Sequence, residues 1–304
     1  MRYKEWLIIW LNNYVKPSAK ERTVIRYEQL IHSHINARIG EFDINTLTPV
    51  VLQSLVTELL NNGNLKTGKG LSASTVNAII SIIQSSLRTA NLLGYTTEYT
   101  ANMIKRPKLK EREIECFSFN EQKRIEAAVL NSKKTKMFGI ILCLYTGLRI
   151  GELIALKWKD IDLQKGLLTV SRSCHDTNCG IILDEPKTVT SRRIIPIPKQ
   201  LLPKINNIRK DSKSEFVVSA NGNAVAVRSY QRSFELLLKK LNIPHRGFHS
   251  LRHTFATRAI ECGIDIKTLS EILGHKNPTI TLNRYAHSLL EHKTAMMNRL
   301  GKIL

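Results

Sequence analysis

Between Ile140 and Leu156 the chain is apolar almost without interruption, and Arg149 stands inside that run, in Thr146-Gly147-Leu148-Arg149-Ile150-Gly151-Glu152-Leu153. A segment of this composition has to be buried. A guanidinium carried in with it costs several kcal/mol unless something negative meets it. Whatever fold the chain adopts must therefore bring a carboxylate or a bound anion to Arg149. Glu152 is near enough in sequence to be the carboxylate, and the residues by themselves leave both solutions open. Gly147 and Gly151 bracket a turn from which the guanidinium can project.

The period of the apolar residues organises the rest. Tyr3–Tyr14, Thr23 to about Ile35, and Pro49–Leu60 behind a capping Thr48 all read as helices. A fourth helix is expected from Ser72 to Leu93, with Val76, Ile79, Ile80, Ile83, Leu87 and Ala90 forming a core stripe. Around Pro107 the chain turns polar and basic, with Lys105, Arg106, Lys108, Lys110 and Arg112 against one acid, Glu111. Such a stretch reads as an interdomain linker that also tracks phosphates.

Ser118-Phe119-Asn120-Glu121 is a capping box that opens a second domain, followed by apolar helices over 135–158. Strands are then expected at Leu167–Val170, Gly180–Leu183 and Arg193–Ile197, with residues 186–191 turning between the last two. Helical periodicity returns from Val227 to Leu241 and from His249 onward. The division is a helical domain over 1–107, a basic linker over 108–114 and a second domain over 115–304. The fold class is mainly α with a small antiparallel β-sheet, that is, α+β.

The chain holds 46 Lys+Arg against 25 Asp+Glu, a net charge of +21. Residues 1–113 carry 15 basic and 9 acidic side chains, and residues 114–304 carry 31 and 16. A surplus shared by both domains points to one polyanionic partner that touches both, and nucleic acid is the obvious one. No signal-peptide pattern opens the chain and no apolar run has the length of a membrane span. Five cysteines form an odd set. Cys174 and Cys179 flank His175 and Asp176, but no second ligand pair completes a zinc spacing, so no metal is expected. This is the usage of a reduced cytoplasmic protein.

Five further positions carry chemistry together with Arg149. His249 and Arg252 lie three residues apart, on one face of a predicted helix and near its first turn, where backbone N–H groups also favour an anion. His275 follows Leu273-Gly274, a glycine stop to the preceding helix. Tyr285 comes ten residues later, on a helix opened by Asn277-Pro278-Thr279. Lys187 falls in the turn expected between two strands, and Arg192 and Arg193 read as surface or phosphate contacts. His253 is expected to point elsewhere. Arginines and histidines can stabilise an anionic phosphoryl transition state, a lysine can protonate a leaving oxygen, and a tyrosine can attack.

In order and local sequence these six positions resemble the tyrosine recombinases, also called phage-type integrases. The resemblance spans essentially the whole chain. It implies a helical core-binding domain and a catalytic domain closing as a C-shaped clamp on double-stranded DNA. Arg149 and Arg252 would grip the scissile phosphate, with His249 and His275 hydrogen-bonded to it and assisting proton transfer. Lys187 would be the general acid to the 5′-hydroxyl and Tyr285 the nucleophile, through a 3′-phosphotyrosine, without metal, ATP or other cofactor.

The implied assembly is a homotetramer in the synaptic complex. The C-terminal tail, with Leu289, Leu290, Met296, Met297, Leu300, Ile303 and Leu304 as an apolar stripe, would be exchanged between subunits, and accessory proteins would bend the DNA. The cellular role expected is integration or excision of a mobile element. Resolution of chromosome or plasmid dimers is the alternative by the same chemistry. A type IB topoisomerase or a binding protein without catalysis stands further off. The resemblance does not extend to the arm-binding domain that many integrases carry before the core-binding helices.

Overall fold

Helix starts and stops in this chain are set by local chemistry. Thr48 Oγ1 accepts from Val51 N with Pro49 in the first turn, so α4 begins there, and Ser72 caps α5 through Thr75 N. Ser118 and Glu121 exchange side-chain and backbone hydrogen bonds at the start of α6, the full capping box that their spacing predicts. The structure is a computed structural model. It describes residues 1–97, 99, 101–109, 115–132, 134–177, 180–184, 192–220, 222–275, 277–279, 282, 297–298 and 300–301.

The chain forms two compact units, Met1–Arg112 and Glu113–Leu304. The first is helical: α1 (Tyr3–Trp10), α2 (Glu21–Leu30), the single turn α3 (Ala37–Ile39), α4 (Pro49–Asn62) and α5 (Ala73–Leu92). Behind α1 and α2 the backbone widens to π-type winding over Leu11–Val15 and Ile31–Asn36. The stripe expected on α5 is buried in full, and Ile82 joins it, because Trp6, Leu7, Leu52 and Leu59 pack around that helix. Two polar atoms entering this core find partners on α5. Tyr3 Oη meets Ser86 Oγ at 2.7 Å and Trp6 Nε1 donates to Ser86 O at 3.0 Å.

Lys105 to Pro107 belong to this unit. Gln53 Oε1 accepts from Lys105 N, Asn77 Nδ2 donates to Pro107 O, and Arg106 donates to Asn77 O, Ser81 Oγ and Gln84 Oε1. Lys110 and Arg112 lie outside the described residues.

The second unit holds α6 (Phe119–Leu130), α7 (Phe138–Thr146), α8 (Ile150–Ile154), β1 (Ile161–Asp162), β2 (Leu167–Val170), β3 (Ser173–Thr177), β4 (Gly180–Asp184) and β5 (Arg193–Pro196). It continues with α9 (Leu202–Asp211), β6 (Ser219–Ala220), β7 (Asn223–Ala224), α10 (Val227–Lys240), α11 (His249–Glu261) and α12 (Ile266–Leu273). The mainly helical α+β class is as expected.

One pairing is not. The strands before and after residues 185–191 are not partners: β4 pairs with β3, while β5 pairs with β2 in the antiparallel order β1-β2-β5. The reason lies in β3, whose Ser-Cys-His-Asp-Thr lacks apolar alternation yet is held in place from outside. Asp176 accepts from Val227 N at 2.9 Å and Arg228 N at 3.0 Å, capping α10 from another element. The segment with Lys187 lies outside the described residues, as do Cys179 and Tyr285.

Candidate active site

Helix α7 stops at Gly147, whose φ of 65° is left-handed, and Arg149 becomes the N-cap of the short α8. A side chain at Gly147 would also collide with Phe255 of α11 at 2.6 Å and Leu273 of α12 at 2.8 Å. The turn predicted for the guanidinium is therefore also where α7, α11 and α12 meet. At Gly151 a Cβ would meet Cys174 O at 2.5 Å, so that glycine lets α8 lie against β3.

Glu152 is the carboxylate demanded by Arg149. Arg149 donates to it from Nη1 at 2.8 Å and from its backbone N–H at 2.8 Å. Glu152 has a second and deeper partner, Arg193. The Arg193 Nη1 and Nη2 reach Oε1 and Oε2 at 2.9 and 2.7 Å, a bidentate pair. Burial pushes the Glu152 carboxyl up, but the hydrogen bonds and charge of Arg193, with the charge of Arg149, outweigh it and hold the pKa at about 2.

The reading of Arg193 as a surface or phosphate contact is corrected by this: its side chain is only 7% exposed and its donors are committed. The signal was present in the strand. On β5, Arg193 shares the inward face with buried Ile195, while Arg192 and Ile194 face out.

The C-terminus of α12 gathers the other groups. Its last carbonyls point at three arginines in turn. Ile272 O accepts from Arg193 Nε at 2.6 Å, Leu273 O from Arg252 Nη2 at 2.7 Å, and Gly274 O from Arg149 Nη2 at 3.1 Å. Gly274 has φ 65°, which lets the chain leave the helix, and the His275 backbone N–H closes the cap on Ser270 O. The His275 ring then sits with Nε2 at 2.9 Å from Arg252 Nη2.

Arg252 is 2% exposed, and its Nη1 donates to Gly147 O at 2.8 Å. Its hydrogen bonds thus fall on the C-termini of α7 and α12, where the partial negative charge of about half an electron per helix end stabilises a cation. His249, the first residue of α11, is exposed one turn before Arg252. Its ring lies edge-on to His253 at 4.6 Å, so His253 adjoins it rather than pointing elsewhere.

Four of the six expected positions are thus described, and Arg149, Arg252 and His275 converge on one helix end. Among the described residues, three guanidiniums meet one carboxylate and two helix ends, an arrangement with surplus positive charge. Arg149 is the most accessible of the three, with 40% of its side chain exposed. Among the linker cations Lys105, Arg106 and Lys108 are exposed, and Arg192, also exposed, lines an open recess of about 720 Å³ with Lys159 and Arg172.

Comparison with known proteins places these observations. The phage integrase family model matches residues 115–292, and that of the N-terminal SAM-like domain of phage integrases matches residues 2–60. The chain belongs to the phage integrase family and is a site-specific recombinase of the tyrosine class. A XerC-like tyrosine recombinase of Caldanaerobacter subterraneus subsp. tengcongensis is 30% identical over 97% of this chain and 81% of its own length. The transposase of transposon Tn916 from Enterococcus faecalis is 32% identical over 60% of this chain, a match spanning half of that transposase. Among solved structures, the Tn1549 transposon integrase in complex with transposon right end DNA aligns over 99% of this chain and 100% of that one, with a TM-score of 0.83 at 24% identity. A lambda integrase tetramer bound to a Holliday junction aligns over 92% and 79%, with a TM-score of 0.73 at 20% identity.

Proposed function

We propose that this chain cuts and rejoins duplex DNA to integrate or excise a mobile element, with the six residues in the roles that the family resemblance implies. Tyr285 Oη gives up its proton, with His249 and His275 assisting that transfer, and attacks the scissile phosphorus; the bond to the 5′ oxygen breaks, and Lys187 gives that oxygen its proton. Arg149, Arg252, His249 and His275 hold the non-bridging oxygens as negative charge builds on them. The 3′-phosphotyrosine conserves the bond energy, so the 5′-hydroxyl of a partner strand can displace Tyr285 without ATP.

The observation that carries this reading is the surplus of guanidinium over carboxylate at the end of α12, with Arg149 left accessible. An oxyanion supplies the missing negative charge. Arg192 in the second unit and Lys105, Arg106 and Lys108 in the first are exposed cations taken as further contacts to the DNA backbone, with Lys110 and Arg112 added from the sequence. Its place of action is the cytoplasm, on the nucleoid.

The test is a nicked suicide substrate offered in EDTA. A protein–DNA adduct at a 3′-phosphate is expected, and Tyr285→Phe should abolish it. An adduct at a 5′-phosphate, or a requirement for metal, overturns the reading. Lys187→Ala should recover cleavage when the leaving 5′ oxygen is replaced by sulfur, because a thiolate leaves without an acid.

Assembly is proposed on the same footing: pairs on each core site, a tetramer in synapsis, and the apolar tail donated to a neighbour. Deleting residues 290–304 should spare single-site binding and weaken cooperative pairing and strand exchange together. Dimer resolution is the second reading, favoured by the XerC-like relative that matches 97% of the chain. Direct repeats bounding a mobile element around the gene would decide for integration.

A further inference from the structure

We infer that Arg193 is a positioning residue that sets both sides of the phosphate site at once, an inference that rests on the function proposed above. Its guanidinium joins two elements that carry phosphate-binding groups. On one side Nη1 and Nη2 fix the Glu152 carboxylate, and Glu152 fixes the Arg149 side chain and its backbone N–H. On the other side Nε donates to Ile272 O at 2.6 Å, one residue before the carbonyl that holds Arg252 and three before His275. A displacement of the Arg193 guanidinium disturbs both contacts, because the group is planar and its donors are fixed in a fork.

Space is arranged for it. A Cβ on Gly274 would sit 2.9 Å from Arg193 Nη1 and 3.1 Å from Cδ, so the αL glycine that ends α12 is also the wall against which the guanidinium lies. The Arg193 side chain is 7% exposed and each of its three nitrogens is bonded to protein, so the role assigned to it is positioning rather than contact with substrate. Its effect passes through Arg149 and through the end of α12.

Lysine in its place keeps one charge and loses the fork. Arg193→Lys should therefore bind the core site with unchanged affinity and cleave about 10²-fold more slowly, the scale for a reacting geometry misplaced by about 1 Å. The readout that separates positioning from mere folding is the substrate's charge. With a neutral methylphosphonate at the scissile linkage, well-placed cations matter less, so the deficits of Arg193→Lys and Arg149→Ala should shrink together. The double variant on the normal phosphate should lose less than the product of the two single losses, because the part of the Arg193→Lys deficit that passes through Arg149 is already gone.

Equal deficits on charged and neutral linkages, or strictly multiplicative losses in the double variant, overturn the inference. Should Arg193→Lys fail to bind DNA, Glu152→Gln puts the same comparison from the other side of the pair, and an equal deficit on both linkages again overturns it. A wild-type protein that forms no 3′-phosphotyrosine would sink the functional reading instead. Wild-type adduct with an Arg193→Lys variant of normal rate would sink only this one.

Discussion

Arg193 binds Glu152 through both terminal nitrogens, at 2.9 and 2.7 Å, in a pocket that leaves 7% and 8% of the two side chains exposed. The pair stands where Arg149 alone was expected to need a carboxylate. A buried ion pair of this kind contributes little over a well-packed apolar pair, yet breaking it by removing one partner costs about 3–5 kcal/mol. Its worth is geometric.

Acid should test this pair directly. Glu152 has its pKa lowered from 4.5 to about 2, so its share of stability is complete above 4.5 and is lost as pH falls through about 2. The loss amounts to about 3 kcal/mol. Thermal melts of the wild type should fall through that window, and Glu152→Gln should start lower and flatten the same stretch. A Gln variant with the full wild-type slope would place the titrating group elsewhere.

Arg149 and Arg252, both proposed to hold the scissile phosphate, should fail differently. Arg149 is partly exposed, and its loss leaves Glu152 paired with Arg193. Arg149→Ala should lose about 2.7–4 kcal/mol of transition-state stabilisation, the scale for one oxyanion donor, with little change in melting temperature. Arg252→Ala should lose as much and also melt lower, because it strips the donors from Gly147 O and Leu273 O, at about 1–3 kcal/mol for each group left unsatisfied. Single-turnover cleavage and a thermal melt on each variant decide it, and an Arg149→Ala protein of normal rate overturns the assignment.

Much of this was legible in the residues. The helix caps at Thr48 and Ser118, the start of α5 near Ser72, its apolar stripe and the turn at Gly147 all follow from local chemistry, and the structure has them. What escaped has physical causes. Strand β3 is held by its hairpin with β4 and by Asp176 capping α10, and no window of sequence contains both partners. Helix α9 buries only Ile205 and Ile208 on its face, too few to mark a period among Lys and Asn. Arg193 was misread because an arginine suggests surface, although the alternation with Ile195 and Ile197 placed it inward. The sharing of one carboxylate between Arg149 and Arg193 joins positions 44 residues apart in the chain and was beyond local reading.

Gly274 and Gly263 offer a matched pair of probes. Both have positive φ, 65° and 88°, so alanine at either should cost about 1–2 kcal/mol of backbone strain. They differ in what the new methyl meets: Arg193 at Gly274, and nothing within 4 Å at Gly263. Gly274→Ala should therefore reduce cleavage beyond its effect on stability, while Gly263→Ala should melt lower and cleave normally below its melting temperature. Equal cleavage rates for the two variants would mean that Arg193 can shift without disturbing the site.

DNA binding should need both units. Residues 1–113 and 114–304 are each basic, and the described linker cations Lys105, Arg106 and Lys108 are exposed. If the two units share one duplex, the phosphates they neutralise add, and each neutralised phosphate releases counterions. For about six to ten such phosphates the affinity should fall roughly 10³–10⁵-fold between about 50 and 200 mM salt. A fragment covering residues 115–304 should bind more weakly, and its plot of log affinity against log salt should be shallower by about one unit for each phosphate that the first unit would have neutralised. Substituting Lys105, Arg106 and Lys108 with alanine in the full chain should flatten the slope similarly, whatever the DNA sequence. A fragment that binds its site as tightly as the full chain, with the same salt slope, would show that the first unit neutralises no phosphates.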